Sequence, residues 1–326
     1  MTNSIDFSYR PRLQELRRLG GDESADSAIA EFNLESAFGL ERAGAPKVSP
    51  PERFAGMTGY RTDFIEGFEV APPAPKGQRA SDVLLVDHAQ DGRLDYLHFS
   101  VVMSKSRRMA MFVGVNIDGA AAKSIERGRD KWFLDGRIPL DAQIGEELYL
   151  DNLLDRGHLV RREDPNWGST QEAEAANDMT FHFTNCSPQM GAFNQRTWLG
   201  LEDYVLKNAR AWKERISVFT GPVFHADDLD YRGVMIPRAY WKVIAFLSDD
   251  LKPSATAYMV SQERELSDLE AAFGAYKTYQ LSVRQIETIT GLSFGELANF
   301  DGFSNEEEMT RTEISSLLRA PGDMRV

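Results

Sequence analysis

The chain has 326 residues, 42% of them hydrophobic and 27% charged, enough to bury a substantial core in one large domain or two modest ones. Its formal net charge of -13 argues against a protein that coats nucleic acid by bulk attraction, and leaves room for an enzyme with a local basic cleft. The single cysteine, Cys186, excludes an internal disulfide and a Cys-rich metal site, and no apolar run approaches the roughly 18 residues that span a bilayer, so no membrane partner is expected.

No charged-then-apolar leader opens the chain, and Pro11 and Arg12 come early, which points to the cytoplasm; a leader already removed, or export by a non-standard route, would leave the same sequence. Leu13, Leu16 and Leu19 sit at helical spacing, Gly20-Gly21 interrupts them, and Ile29, Phe32 and Leu40 form a second weak helical pattern. Six of the fourteen prolines fall between Pro46 and Pro75, which predicts irregular chain. Residues 1–58 are therefore expected to form a partly helical, Pro-rich extension, residues 59–310 the main domain, and residues 311–326 a tail.

From about Asp82 the pattern turns strand-rich. Leu94 to Met103, Met109 to Ile117, Ile216 to Phe224, Tyr240 to Leu247 and Ala255 to Val260 are apolar and β-branched, the signature of buried strands. Asn194 to Trp212 lacks proline and carries Trp198, Leu201, Val205, Leu206 and Ala209 as a helical stripe. Ser282 suits the N-cap of a helix over Val283 to Thr290, which Gly291 ends. The sum is an α+β fold, a mostly antiparallel central sheet flanked by helices. Between Ser104 and Arg137, eight basic residues (Lys105, Arg107, Arg108, Lys123, Arg127, Arg129, Lys131 and Arg137) outnumber four acidic ones; the stretch reads either as a polyanion site or as a solvated surface.

The chemistry concentrates between Asp155 and Asp203. Hydrolysis of a phosphodiester needs a base for the attacking water, charge stabilisation at the phosphate, and a neutralised leaving oxygen. His158 suits the base, being mostly neutral at pH 7 to 8. Arg156, two residues earlier, shares its face if the piece is extended, and its planar fork suits phosphate oxygens. Asn194 offers an amide oxygen to a hard cation, and Glu202 a carboxylate for a metal-bound water. If Asn194 starts the helix, Glu202 lies about 12 Å along its axis, so it belongs outside the inner coordination sphere. Each residue also has an ordinary reading: His158 as a packed histidine, Asn185 in an Asx-turn before Pro188, Asn194 as a helix N-cap, Glu202 on a solvated helix face, and Arg161 in an exposed charge run.

The ordered motifs Asp155-Arg156-Gly157-His158, Thr184-Asn185 through Gln189, Phe193-Asn194-Gln195, and Trp198 through Glu202-Asp203 resemble the DNA/RNA non-specific endonucleases, a ββα-metal (His-Me finger) family with an Asp-Arg-Gly-His hallmark that includes the endonuclease G-like enzymes. Downstream, Thr220-Gly221-Pro222-Val223, Tyr240-Trp241-Lys242 and Thr290-Gly291-Leu292 fit the same pattern, so the resemblance covers roughly residues 59 to 300. It implies that His158 activates water, Asn194 is the sole direct protein ligand of Mg²⁺ (with Mn²⁺ as a substitute), Glu202 orients a metal-bound water, Arg156 stabilises the phosphorane or leaving side, and Asn185 assists at the metal-phosphate site. Arg107, Arg108 and Arg161 are the candidate substrate-binding residues. The implied activity is sugar-non-specific hydrolysis of DNA and RNA to 5′-phosphate ends.

Two other readings stand beside it. One is a catalytically inactive nuclease fold that binds nucleic acid or regulates; intact His158, Arg156, Asn194 and Glu202 argue against it. The other is a zinc site on His158, His182 and nearby carboxylates, against which no HExxH or CxxC spacing is present. The resemblance also implies a homodimer, and the damage an unrestrained nuclease would do to its host makes an inhibitor or regulatory partner expected. DNA against RNA preference and biological role stay open at this level.

Overall fold

The computed structural model describes residues 47–87, 89, 91–126, 128, 130–190, 209, 213–262, 277–318 and 323. Lys47–Val326 form one compact unit; the other, Met1–Pro46, lies outside the described residues, and so do the helical patterns expected there. In chain order the strands used below are β1 (Val48–Ser49), β2 (Arg93–Asp95), β3 (Phe99–Met103), β4 (Ala110–Asp118), β5 (Leu134–Asp135), β6 (Leu154–His158), β7 (Cys186–Met190), β8 (Arg215–Val223), β9 (Leu229–Tyr231), β10 (Val234–Ile236), β11 (Ala239–Leu247), β12 (Pro253–Ser261), β13 (Lys277–Leu281) and β14 (Ser315–Leu318).

Eight of them form an antiparallel sheet in the order β14-β13-β12-β11-β8-β4-β3-β2. The apolar runs read from the sequence become its central strands, because only a strand covered on both faces can use so unbroken a run; β4 is buried along its whole length. Alternation within β11 sends Tyr240 and Trp241 to opposite faces. Trp241 packs edge-on against Phe294, with ring centres 5.3 Å apart, and Tyr60 meets Phe219 at 5.1 Å. On the other side Tyr240 Oη donates to Pro188 O at 2.6 Å and lies 3.1 Å from Ser187 Oγ. Those two residues belong to β7, which pairs antiparallel with β6 as a separate two-stranded ribbon on that face.

The helix α1 (Thr170–Met179) starts at a capping box in which Ser169 and Glu172 satisfy each other's backbone N–H groups. The helix α2 (Val283–Thr290) runs as its local signals predict: Ser282 accepts from Gln285 N at 2.9 Å, and Gly291 ends it at φ 72°.

Three expectations need correction. The run Leu94 to Met103 is two strands, β2 and β3, which reverse at Tyr96–His98, where Tyr96 N donates to Phe99 O at 2.9 Å and His98 takes φ 71°. A short apolar run does not reveal a tight reversal when no Gly or Pro marks it. The body also starts before residue 59: β1 pairs in parallel with β5, and Phe54 joins the core between Tyr96 and His182. Within the expected tail, Ser315–Leu318 is a strand, since β14 pairs with β13 and extends the sheet.

Candidate active site

The β6–β7 ribbon carries the Asp155-Arg156-Gly157-His158 motif. Register pairs Asp155 with Gln189, Gly157 with Ser187 and His158 with Cys186. Directly opposed residues share a face, so Asp155, Gly157, Ser187 and Gln189 point one way, toward Tyr240 and the large sheet, while Arg156 and His158 point the other way. Gly157 has a steric origin: a Cβ there would stand 2.1 Å from Gln189 Cδ and 2.2 Å from its Oε1. Gln189 is fully buried, and neither atom of its amide has a hydrogen-bond partner among the described residues.

The half-buried His158 ring is held by aromatic contacts, with Trp132 at 4.7 Å and Phe181 edge-on at 5.0 Å. Its backbone is fixed just downstream. Asn185, wholly buried, accepts from Val160 N at 2.8 Å and donates to Val160 O at 2.9 Å and Thr180 O at 3.0 Å. The Asn185 amide therefore grips the peptide two residues beyond His158. In the described geometry it serves the strand carrying the imidazole rather than reaching out as a separate polar group.

Arg156 reaches Glu146, a residue the motif did not reveal: Nε donates to Oε2 at 3.0 Å and Nη2 to Oε1. Its guanidinium lies 5.5 Å from the Tyr149 ring centre, and Tyr149 Oη lies 3.2 Å from Cys186 Sγ. Burial draws the Arg156 pKa down from its ordinary value and pushes the Cys186 thiol up to about 12, so this cysteine is inert at neutral pH.

The substrate-binding candidates divide. Arg107 is engaged within the fold: Nη1 pairs with the fully buried carboxylate of Asp228 at 2.8 Å and Nη2 donates to His225 O at 2.6 Å, pinning the turn between β3 and β4 to the chain before β9. Arg108 donates to Gly233 O at 3.0 Å in the turn between β9 and β10. Half-buried Arg161 stays near the ribbon, three residues past His158, with its N–H on Asp164 Oδ2 at 3.1 Å. Asn194 and Glu202, together with the helix expected from Asn194 to Trp212, fall outside the described residues apart from Ala209.

Among the described residues no cluster of three or more His, Cys, Asp or Glu could hold a metal ion. The zinc reading fails at His182. That ring is buried, its Nδ1 lies 2.8 Å from Met179 O and its Nε2 2.9 Å from Ser49 Oγ, and burial lowers its pKa to about 4. Both nitrogens are committed to structural bonds.

Sequence and structure comparisons agree on one family. The family model described as DNA/RNA non-specific endonuclease matches residues 81–300. A Sinorhizobium fredii protein, "Uncharacterized protein y4fB", is 42% identical over 278 residues, covering 78% of this chain and 41% of its own length. Nuclease C1 of Cunninghamella echinulata var. echinulata is 26% identical over 212 residues, 60% of this chain and 80% of that protein. Human mitochondrial endonuclease G is 31% identical over 108 residues, 29% of this chain and 34% of that protein. The chain thus spans less than half the length of two of these three relatives. A crystal structure of the EndoG/EndoGI complex superposes with a TM-score of 0.52 at 20% identity, over 64% of this chain and 87% of that one, which shows a shared fold. With the family model matched across most of its length and its motif strand in an α+β fold of this kind, the chain belongs to the DNA/RNA non-specific endonucleases.

Proposed function

We propose that the chain is a Mg²⁺-dependent, sugar-non-specific endonuclease that hydrolyses DNA and RNA to 5′-phosphate and 3′-hydroxyl ends, with Mn²⁺ able to replace Mg²⁺. The supporting observation is the pair Arg156 and His158, two residues apart on one face of β6 in a chain of this family. A water facing that strand loses its proton to the imidazole of His158 as its oxygen bonds to phosphorus, and the bond from phosphorus to the 3′ oxygen breaks, its electron pair leaving on that oxygen, which takes a proton from solvent to become the 3′-hydroxyl. Trp132 and Phe181 restrict the ring to one plane, and Asn185 holds its strand, so the proton acceptor needs no reorganisation at the moment of attack. Arg156 faces the charge that builds on the phosphate. The amide oxygen of Asn194 suits a hard cation and Glu202 would hold one of its waters; when bound, that ion supplies further charge stabilisation at the phosphate. Recognition through backbone rather than base edges accounts for indifference to sequence and sugar. A homodimer and an inhibitory partner belong to the same proposal; the structural neighbour is itself described in a complex that inhibits it.

The test is digestion of supercoiled plasmid, single-stranded DNA and RNA with Mg²⁺, Mn²⁺ or EDTA, using wild type, His158→Ala and Asn194→Ala. Cleavage requiring the metal, and a loss of about 10² to 10⁴-fold in His158→Ala with unchanged circular dichroism, is the expected result. Near-normal turnover by folded His158→Ala removes the mechanism, and full metal-dependent activity in Asn194→Ala takes that residue out of the site.

A further inference from the structure

We propose that Glu146 is a positioning residue for Arg156, fixing the guanidinium so that its outer edge is offered to the scissile phosphate; this rests on the nuclease reading above. A guanidinium has five N–H donors in a rigid plane. Glu146 takes the Nε side, through Nε to Oε2 at 3.0 Å and Nη2 to Oε1. The edge formed by Nη1 and the second Nη2 hydrogen has no hydrogen-bond partner among the described residues, and that edge is the one that grips two phosphate oxygens side by side. A carboxylate on one edge and a ring below, Tyr149 at 5.5 Å, leave the plane little freedom to turn.

Glu146 can do this because its own backbone is anchored. It opens a 3₁₀ turn, Glu146–Leu148, in which Tyr149 N donates to Glu146 O at 3.0 Å. Arg232, from the turn between β9 and β10, donates through Nη1 to Glu147 O at 3.0 Å and Leu150 O at 2.7 Å. Asn152 ties the turn to the ribbon, donating to Leu148 O at 2.6 Å and accepting from Leu154 N, the first residue of β6, at 2.8 Å. The carboxylate is thus referenced to the strand that carries both Arg156 and His158. The side chains are 32% exposed for Arg156 and 41% for Glu146, so the pair stands where substrate from solvent can meet it. Exposure of this degree makes the ion pair a weak contributor to stability, which separates its effect on orientation from any effect on folding.

The experiment compares plasmid cleavage kinetics of the full chain as wild type, Glu146→Ala, Glu146→Gln, Arg156→Ala and the Glu146→Ala/Arg156→Ala double variant, with urea midpoints for each. Glu146→Ala is expected to lower kcat by about ten- to a hundredfold, the scale of a misplaced group, while KM moves by less than about threefold. Glu146→Gln, whose amide oxygen still accepts one N–H, should recover part of that loss. In the Arg156→Ala background Glu146→Ala should cost nothing further, because the two act through one contact. Wild-type or raised kcat in Glu146→Ala, or an equal loss with and without Arg156, overturns the positioning role while leaving the nuclease reading intact. A wild-type chain that cuts no nucleic acid with any metal overturns the nuclease reading, and the positioning role falls with it.

Discussion

Gly157→Ala is the most direct probe of why the motif contains a glycine. The added methyl would lie 2.1 Å from Gln189 Cδ and 2.5 Å from its Cγ, against an optimal carbon–carbon separation of about 3.5–4.0 Å, so the side chain or the ribbon must give by more than 1 Å. Gln189 is fully buried and cannot swing into solvent. Overpacking of this kind costs about 1–3 kcal/mol, which a domain of ordinary stability survives, so the variant should fold with a lowered urea midpoint. The displacement falls one residue from His158, and a shift near 1 Å at a reacting group costs up to about a hundredfold in rate. Urea unfolding and single-turnover cleavage should be measured for Gly157→Ala, Gln189→Ala and the double variant. Removing the Gln189 side chain opens the space, so the double variant should be more stable than the two single losses added together, by at least about 1 kcal/mol of coupling. Strict additivity, or a Gly157→Ala variant with wild-type midpoint and rate, refutes the steric account and points to a role for Gly157 in the chemistry itself.

Two further outcomes test the structural side chains. Burial holds His182 at about 4, below the ordinary value near 6.5, so its neutral form is favoured in the fold; no penalty exists above pH 6.5, and as pH falls toward 4 the unfolded chain takes up the proton first, which removes roughly 3 kcal/mol. Urea midpoints at pH 8 and pH 4.5 should therefore diverge less in His182→Gln than in wild type, and equal divergence would rule His182 out as the source. Arg107→Ala should strand the buried Asp228 carboxylate and destabilise the protein by about 3–5 kcal/mol, with little change in KM for nucleic acid in whatever fraction stays folded; a raised KM with unchanged stability would restore Arg107 as a substrate contact.

Much of this protein was decided locally and was therefore legible in its sequence. The largely apolar runs of β4, β8 and β11 call for cover on both faces, and Ser282 and Gly291 bound α2 through bonds spanning only three or four residues. The motif from Asp155 to His158 carries its own strand alternation, which sets Arg156 and His158 on one face without reference to the rest of the chain. Tertiary structure decided what depends on partners distant along the chain. It turned Leu94 to Met103 into a hairpin, paired Val48–Ser49 with Leu134–Asp135, drew Phe54 into the core and gave the sheet an edge strand from 315–318, because strand pairing is set by neighbours that no short window contains. It also assigned the arginines. Arg107 and Arg156 look alike in sequence, but one meets a buried carboxylate 121 residues away and the other a partly exposed one ten residues before it. Which edges of a guanidinium are already hydrogen-bonded depends on the fold, and only the assembled chain determines that.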